Sequence, residues 1–276
     1  MNDQENRAPL RIIAFGAHPD DCEIFAGGTA AKYAARGDEV LFVSLTNGDA
    51  GHQNDGGETL ARRRAAEAQR AASVLGIQYR VLDFHDGQLQ PTLEARYQVI
   101  RLIRQWRADI VFCHRPNDYH PDHRAVGILI QDSAYMVVVP NVCPDVPALR
   151  KNPFFFYVWD AYRKPYPFQV DAAVDVDGVM AKKLDMMHCH ESQFYEWLPY
   201  VENSLDSVPA SDSERRKWLE ESWGEWLCAM TDCARGWLAE RYGNAKAAAI
   251  RWAEPFELCE YGSRPSEQDW ERLFPF

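Results

Sequence analysis

The chain has 276 residues, with 30 Lys and Arg against 41 Asp and Glu, a formal net charge of −11 and 46% hydrophobic residues. This is a globular composition, and its acidic balance excludes a general grip on nucleic-acid phosphates, which needs clustered cations. No apolar run reaches the roughly 20 residues of a membrane helix; Val137-Val138-Val139 is cut off at Pro140. Met1 to Leu10 lacks the apolar stretch of a signal peptide, and seven cysteines without a CxxC pair suggest neither a disulfide framework nor a thiolate zinc site. The expectation is a cytoplasmic protein.

The first half alternates strands and helices. Arg11 to Ala17, Glu39 to Thr46, Tyr79 to Phe84 and Asp109 to His114 are short, mostly apolar runs rich in β-branched or aromatic residues. Between them, Leu60 to Leu75 carries Ala61, Ala65, Ala68, Ala72 and Leu75 at helical spacing and stops at Gly76. Leu93, Tyr97, Ile100 and Ile103 form a second apolar stripe. Strand and helix in alternation predict βαβ units, hence an α/β fold: a Rossmann-like open parallel sheet with helices on both faces. Two more strand-like runs follow, Phe154 to Trp159 and Phe168 to Val176, then a helix over Val179 to Glu191. Beyond a linker bounded by Pro199 and Pro209, Ser211-x-x-Glu214 reads as a capping box. Leu219, Trp223, Trp226, Met230, Ala234 and Trp237 then continue at helical spacing, with Gly224 as a candidate bend and Gly243 as the C-cap. We therefore divide the chain into a domain over 9–200 and a Trp-rich, mostly helical extension over 201–276, packed on the same domain.

In an open parallel sheet, ligands bind beyond the carboxyl ends of the strands. The residues just past each strand are therefore the candidates for a site. The first strand leads into Ala17-His18-Pro19-Asp20-Asp21-Cys22-Glu23, the second into Asn47-Gly48-Asp49-Ala50-Gly51-His52 and the third into His85-Asp86-Gly87. The fourth leads into His114, then His120-Pro121-Asp122-His123. Imidazoles and carboxylates on adjacent loops suit zinc or another divalent transition metal. Of the doubled Asp20-Asp21, one carboxylate can bind metal while its neighbour takes a proton from water. His120 and His123, three residues apart at a loop-to-helix junction, can line one side of the pocket, with Asp122 orienting an imidazole. Other chemistries lack their signatures: there is no GxSxG elbow, no GxGxxG and no GxxxxGK[ST]. Gly27-Gly28 reads as a close helix–sheet contact rather than an anion site.

With these residues in place, the chain resembles the LmbE-like (PIG-L) family of zinc-dependent de-N-acetylases over roughly Arg11 to Phe194. The resemblance rests on AHPDDCEIFAGGT (Ala17 to Thr29) and HPDH (His120 to His123), supported by LTNGDAG (Leu45 to Gly51), RAAEAQRAASVLG (Arg64 to Gly76), Asp86-Gly87 and KLDMMHCHESQ (Lys183 to Gln193). It implies that His18, Asp21 and His123 bind Zn2+, that Asp20 is the general base, and that His120 stabilises the oxyanion or protonates the leaving amine, with Asp122 holding it. It also implies that Arg64 and Asp86 contact the sugar. Cys22 intervenes between the paired Asp and Glu23, a spacing that leaves the zinc assignment intact.

The implied reaction is removal of the N-acetyl group from an N-acetylglucosamine-type sugar or glycoside, releasing acetate and a free amine. The alternatives are an amidase for another acyl sugar or thiol conjugate, and a metal-containing sugar-binding protein without turnover. Some residues keep two readings. Arg64 and Glu67, one helical turn apart, form either a surface ion pair or a sugar contact. Asp86-Gly87 is a contact or a turn. His190, seven residues from Lys183, reaches the pocket or is a satisfied core histidine. His114 reads as structural and His52 as a pocket-rim residue. Most of the Trp residues in the extension read as core, with one or two shaping the substrate mouth, and the extension offers an apolar surface for homo-oligomer formation.

Overall fold

A computed structural model describes residues 8–276. Its centre is a seven-stranded sheet in the order β3-β2-β1-β4-β5-β7-β6, formed by β1 (Arg11–Gly16), β2 (Glu39–Thr46), β3 (Gln78–Phe84), β4 (Ile110–Cys113), β5 (Phe154–Val158), β6 (Ala172–Asp175) and β7 (Ala253–Leu258). β1 to β5 are parallel, whereas β7 runs antiparallel to both β5 and β6. Strand side chains alternate between faces, so Ile12 and Ala14 join one core and Ile13 and Phe15 the other. The first core is covered by α1 (Asp21–Ala35), α2 (Gly57–Leu75), α5 (Met180–His188) and α7 (Asp212–Tyr242), the second by α3 (Leu93–Trp106) and α4 (Pro121–Met136). A π-helical turn (Ser192–Trp197) leads into the short α6 (Leu198–Val201), and α8 (Asn244–Ala249) and α9 (Glu267–Leu273) complete the chain. Among the described residues no helix is long and apolar enough to cross a membrane.

The C-terminal part departs from the sequence expectation in two ways. Ala253–Leu258 forms a strand between β5 and β6, where the sequence pattern predicts none. Its two acidic residues are neutralised inside the fold. Glu254 receives Lys183 Nζ at 2.6 Å and the backbone N–H groups of Gly28 and Thr29, while Glu257 Oε2 lies 3.6 Å from Arg115 Nε. A Cβ on Gly28 would fall 2.7 Å from Val176 and 3.1 Å from the Glu254 carboxylate, so the Gly27-Gly28 pair does serve a close packing contact. Ser211 does begin α7, but its hydroxyl donates to the Glu214 carboxylate rather than accepting from the backbone, so no capping box forms there. The reciprocal box forms instead at Ser266 and Asp269, which begin α9. The long helix passes through Gly224 without interruption.

Candidate active site

Strand order reverses between β1 and β4, leaving a crevice at their carboxyl ends. The loops Ala17 to Asp20 and His114 to His120 emerge on either side of it. A cavity of about 490 Å³ opens there, and His18, Asp20, Asp21, Arg64, Asp86, His120 and His123 all line it. Residues separated by more than 100 positions are thus brought together by the parallel sheet.

Asp21 opens α1, and its Oδ2 accepts from the backbone N–H groups of Ala17 and His18, both at 2.8 Å. Nε2 of His114 lies 3.1 Å from the same oxygen, and the His114 ring stacks on His123 with 4.0 Å between centroids. His114 thus contacts both the carboxylate and the imidazole of the predicted ligand set. His18 Nδ1 sits 3.6 Å from Asp21 Oδ2, and His123 Nε2 sits 3.5 Å from Asp21 Oδ1. Burial raises the Asp21 pKa, but His123, His114 and His18 outweigh it and hold the carboxyl well below its ordinary range.

The donor chemistry fits a divalent cation. Both ring nitrogens of His123 are buried without a directed hydrogen bond, although Asp118 Oδ1 lies 3.1 Å from Nδ1. Orphaned buried nitrogens of this kind call for a partner. Nε2 of His18 faces Asp86 Oδ1 at 3.2 Å and Asp122 Oδ2 at 3.3 Å, the carboxylate contact that orients a metal-ligating imidazole. Burial lowers the His18 pKa, but hydrogen bonds to Asp122, Asp21 and Asp86 outweigh it and hold the ring well above its ordinary value. The surplus of negative charge around one imidazole is what a cation balances. Donor atoms of His18, His120 and His123 lie within 4.8 Å of one another, as do those of Asp21, His114 and His123.

Asp20 and Arg64 form a second layer. Arg64, on α2, is buried rather than on the surface, and its partners are not Glu67. It donates to Gly48 O, Pro19 O and Asp20 Oδ2, the last at 3.3 Å, and lies 3.6 Å from Asp86 Oδ2. Gly48, at φ +70°, makes room for it: a Cβ there would meet the guanidinium at 2.6 Å. Burial pushes the Asp20 carboxyl up to about 6, with Arg64 opposing the rise. Asp86 goes the other way. Its burial is outweighed by the His18 hydrogen bond and by Arg64, which bring it down to about 2. Two carboxylates in one cavity thus differ in readiness to take a proton.

Three expectations are corrected. The Asp122 carboxylate does not hold His120; it accepts from Gly87 N at 2.7 Å and Leu89 N at 3.1 Å and faces His18. His120 instead caps α4, its Nδ1 accepting from the Asp122 backbone N–H at 3.2 Å, which leaves Nε2 as the protonated nitrogen of the neutral ring. Burial and the neighbouring His18 and His123 lower its pKa. His190 does not line the cavity; it is wholly buried, with Nε2 2.9 Å from Glu23 Oε1. His52 stands off the cavity as well, bound to Glu196 in the π-helical turn at 2.8 Å. Sequence reasoning missed Asp118, whose Oδ1 accepts from the His120 backbone N–H at 2.9 Å and faces His123. Its signal was position alone, on the loop two residues before His120.

Residues 13–133 match the family described as "PIG-L: GlcNAc-PI de-N-acetylase", a stretch that contains every cavity residue assigned above. A diacetylchitobiose deacetylase of Thermococcus kodakarensis is 34% identical over 203 residues, covering 69% of this chain and 74% of that protein. The chain belongs to the PIG-L (LmbE-like) family. By that membership it is a deacetylase, a hydrolase of amide bonds. The structure of N,N'-diacetylchitobiose deacetylase from Pyrococcus horikoshii superimposes with a TM-score of 0.68 at 25% identity, covering 96% of this chain and 86% of that one. GalB of Pseudomonas putida, a 4-carboxy-2-hydroxymuconate hydratase, reaches a TM-score of 0.70 at 18% identity, with 94% and 99% covered. That likeness concerns the fold alone.

Proposed function

We propose that this PIG-L family member removes the N-acetyl group of an N-acetylglucosamine-type sugar or glycoside with the help of Zn2+ or a related divalent ion. The observation that carries the reading is the placement of Asp20, a carboxylate poised to titrate near 6, in the same cavity as the unbonded nitrogens of His123 and the carboxylate-backed His18. His18, Asp21 and His123 would hold the ion. When bound, the ion lowers the pKa of water and polarises the acetamide carbonyl.

The rest is the work of the chain. Asp20, ionised above about pH 6, takes a proton from the attacking water, and Arg64 keeps the carboxylate in place. His120, neutral and protonated on Nε2, donates a hydrogen bond to the oxygen on which negative charge develops, and the proton that Asp20 took from water passes to the leaving amine as the C–N bond breaks. Asp122 and Asp86 fix the ring of His18 from behind. We place Arg64 and Asp86 at the sugar end of the cavity, and leave His190 as a buried support behind Asp20. A cytoplasmic location belongs to the same proposal, supported by seven cysteines that are all free, four of them buried.

Acetate release from N-acetylglucosamine and its methyl glycoside, followed before and after chelation, tests the reading. Chelator-sensitive acetate release, restored by added zinc, is the expected result. Sugar binding without acetate release would overturn it in favour of a non-catalytic role.

A further inference from the structure

The cavity is chemically lopsided. Arg64, Asp86 and Asp20 line one part of it, while Trp159, Tyr162, Trp223 and Trp226 line another. The two tryptophans on α7 belong to the region beyond residue 133, outside the family match. They form a continuous aromatic wall: Trp226 meets Trp159 at 5.4 Å, Trp223 at 5.5 Å and Phe25 at 5.7 Å, all edge-to-face. Tyr162 extends towards the mouth, 40% exposed and 6.3 Å from the exposed Tyr119. Rings that share edges in this way still present faces and edges to whatever enters the cavity.

The charges of the lining point the same way. Five aspartates line the cavity, at positions 20, 21, 86, 118 and 160, and the only Lys or Arg among the described lining residues is Arg64. Arg64 is committed to Asp20 and to two backbone carbonyls. Asp160 is likewise engaged, with Arg115 Nη1 donating to both its oxygens at 3.1 and 3.2 Å and Tyr162 N donating to Oδ1 at 2.8 Å. Those bonds anchor the loop that carries Trp159 and Tyr162, and no spare cation among the described lining residues faces the aromatic wall.

Resting on the deacetylase reading above, we infer that this wall is an aglycone subsite, in which Trp223, Trp226, Trp159 and Tyr162 select a group with a flat apolar face and offer no cation to hold an anionic one. A second pyranose ring and an aryl group share that chemistry. Stacking needs only a flat CH or π face, and it favours ground state and transition state alike, so its loss raises KM more than it lowers kcat.

The test is a series of N-acetylglucosamine glycosides with methyl, carboxymethyl, phenyl and N-acetylglucosaminyl aglycones, compared by kcat/KM on the metal-loaded enzyme. The phenyl or disaccharide substrate should exceed the methyl glycoside about three- to tenfold, the range of one or two aromatic contacts. The carboxymethyl glycoside should gain nothing over the methyl glycoside, because its carboxylate meets apolar rings and no free cation there. Which of the phenyl and disaccharide arms is faster identifies the source of the flat face. Trp226→Leu should lower the phenyl-to-methyl ratio through KM. Tyr162→Ala, at a partly exposed loop position that the core does not need, should do the same to a smaller extent and covers the case in which Trp226→Leu fails to fold. Equal kcat/KM across the four aglycones, or a ratio unchanged in Tyr162→Ala, would overturn the inference while leaving the deacetylase reading intact. Absence of acetate release from all four would instead overturn the deacetylase reading itself.

Discussion

The loops at the carboxyl edge of β1 to β4 and the segment from α7 to β7 use charge in opposite ways. At the sheet edge, buried polar groups are left incompletely satisfied: His123 has no well-directed hydrogen bond at either ring nitrogen, although Asp118 lies beside Nδ1, and His18 faces three carboxylates. In the C-terminal segment, the charge of Glu254 is matched by Lys183 and two backbone N–H groups. The cluster at the sheet edge leaves buried donors for a further partner, whereas the Glu254 carboxylate has its bonds closed within the fold. Burial alone therefore does not mark a functional charge in this chain. Lys183 and Glu254 are as buried as Asp21, yet only Asp21 faces the cavity.

Four substitutions probe the two regions. His18→Ala and His123→Ala should abolish acetate release and bound metal together, with thermal stability little changed, as measured by metal analysis and calorimetry. Lys183→Met leaves a buried carboxylate without its cation and should destabilise the fold by roughly 3–5 kcal/mol, read from denaturant unfolding, while the metal-loaded fraction that stays folded keeps its kcat. If it lost kcat and kept its stability, the division between the two regions would be wrong. Asp122→Asn frees the back of His18 and should cost roughly 10–100-fold in metal affinity or activity, without the loss expected if Asp122 served His120 as a proton partner.

The smallest effect concerns pH. A base must be ionised to work, so kcat/KM should fall as pH drops through the Asp20 value of about 6. Arg64 lowers that value, and Arg64→Gln should therefore move the acid limb to higher pH. An upward shift of one unit would cut the rate at pH 6 about fivefold. A limb that stayed in place would show that Arg64 does not act on Asp20.

The site was legible in the sequence because its residues come in short clusters, each behind an apolar strand, and the parallel sheet then sets those clusters side by side. The pairing within the site was less legible. Asp122 lies next to His120 and His123 in sequence, but its carboxylate crosses to His18, 104 residues away. Helical spacing left Arg64 between an ion pair with Glu67 and a sugar contact, and it did not reveal that α2 turns it inward to Asp20 across 44 residues. Such contacts depend on how helices rotate against the sheet, which spacing within one helix does not reveal. β7 was hidden for another reason. AEPFEL holds two acids and a proline, features that argue against an interior strand, and partners distant in sequence make their burial tolerable: Lys183 and the Gly28 and Thr29 N–H groups for Glu254, Arg115 and the Gln169 N–H for Glu257. His190 lies two residues past the end of α5, where the helical period no longer applies, and meets Glu23 rather than the cavity.

In this mechanism Asp20 moves a proton while its neighbour Asp21 helps to hold the ion, and separating those two roles is the decisive step. Asp20→Asn is assayed side by side with His18→Ala for metal content and for acetate release from one glycoside. Asp20→Asn should keep about one metal per chain while its kcat falls about 10²–10⁴-fold, and His18→Ala should lose both. Turnover by Asp20→Asn at the wild-type rate would contradict the assignment.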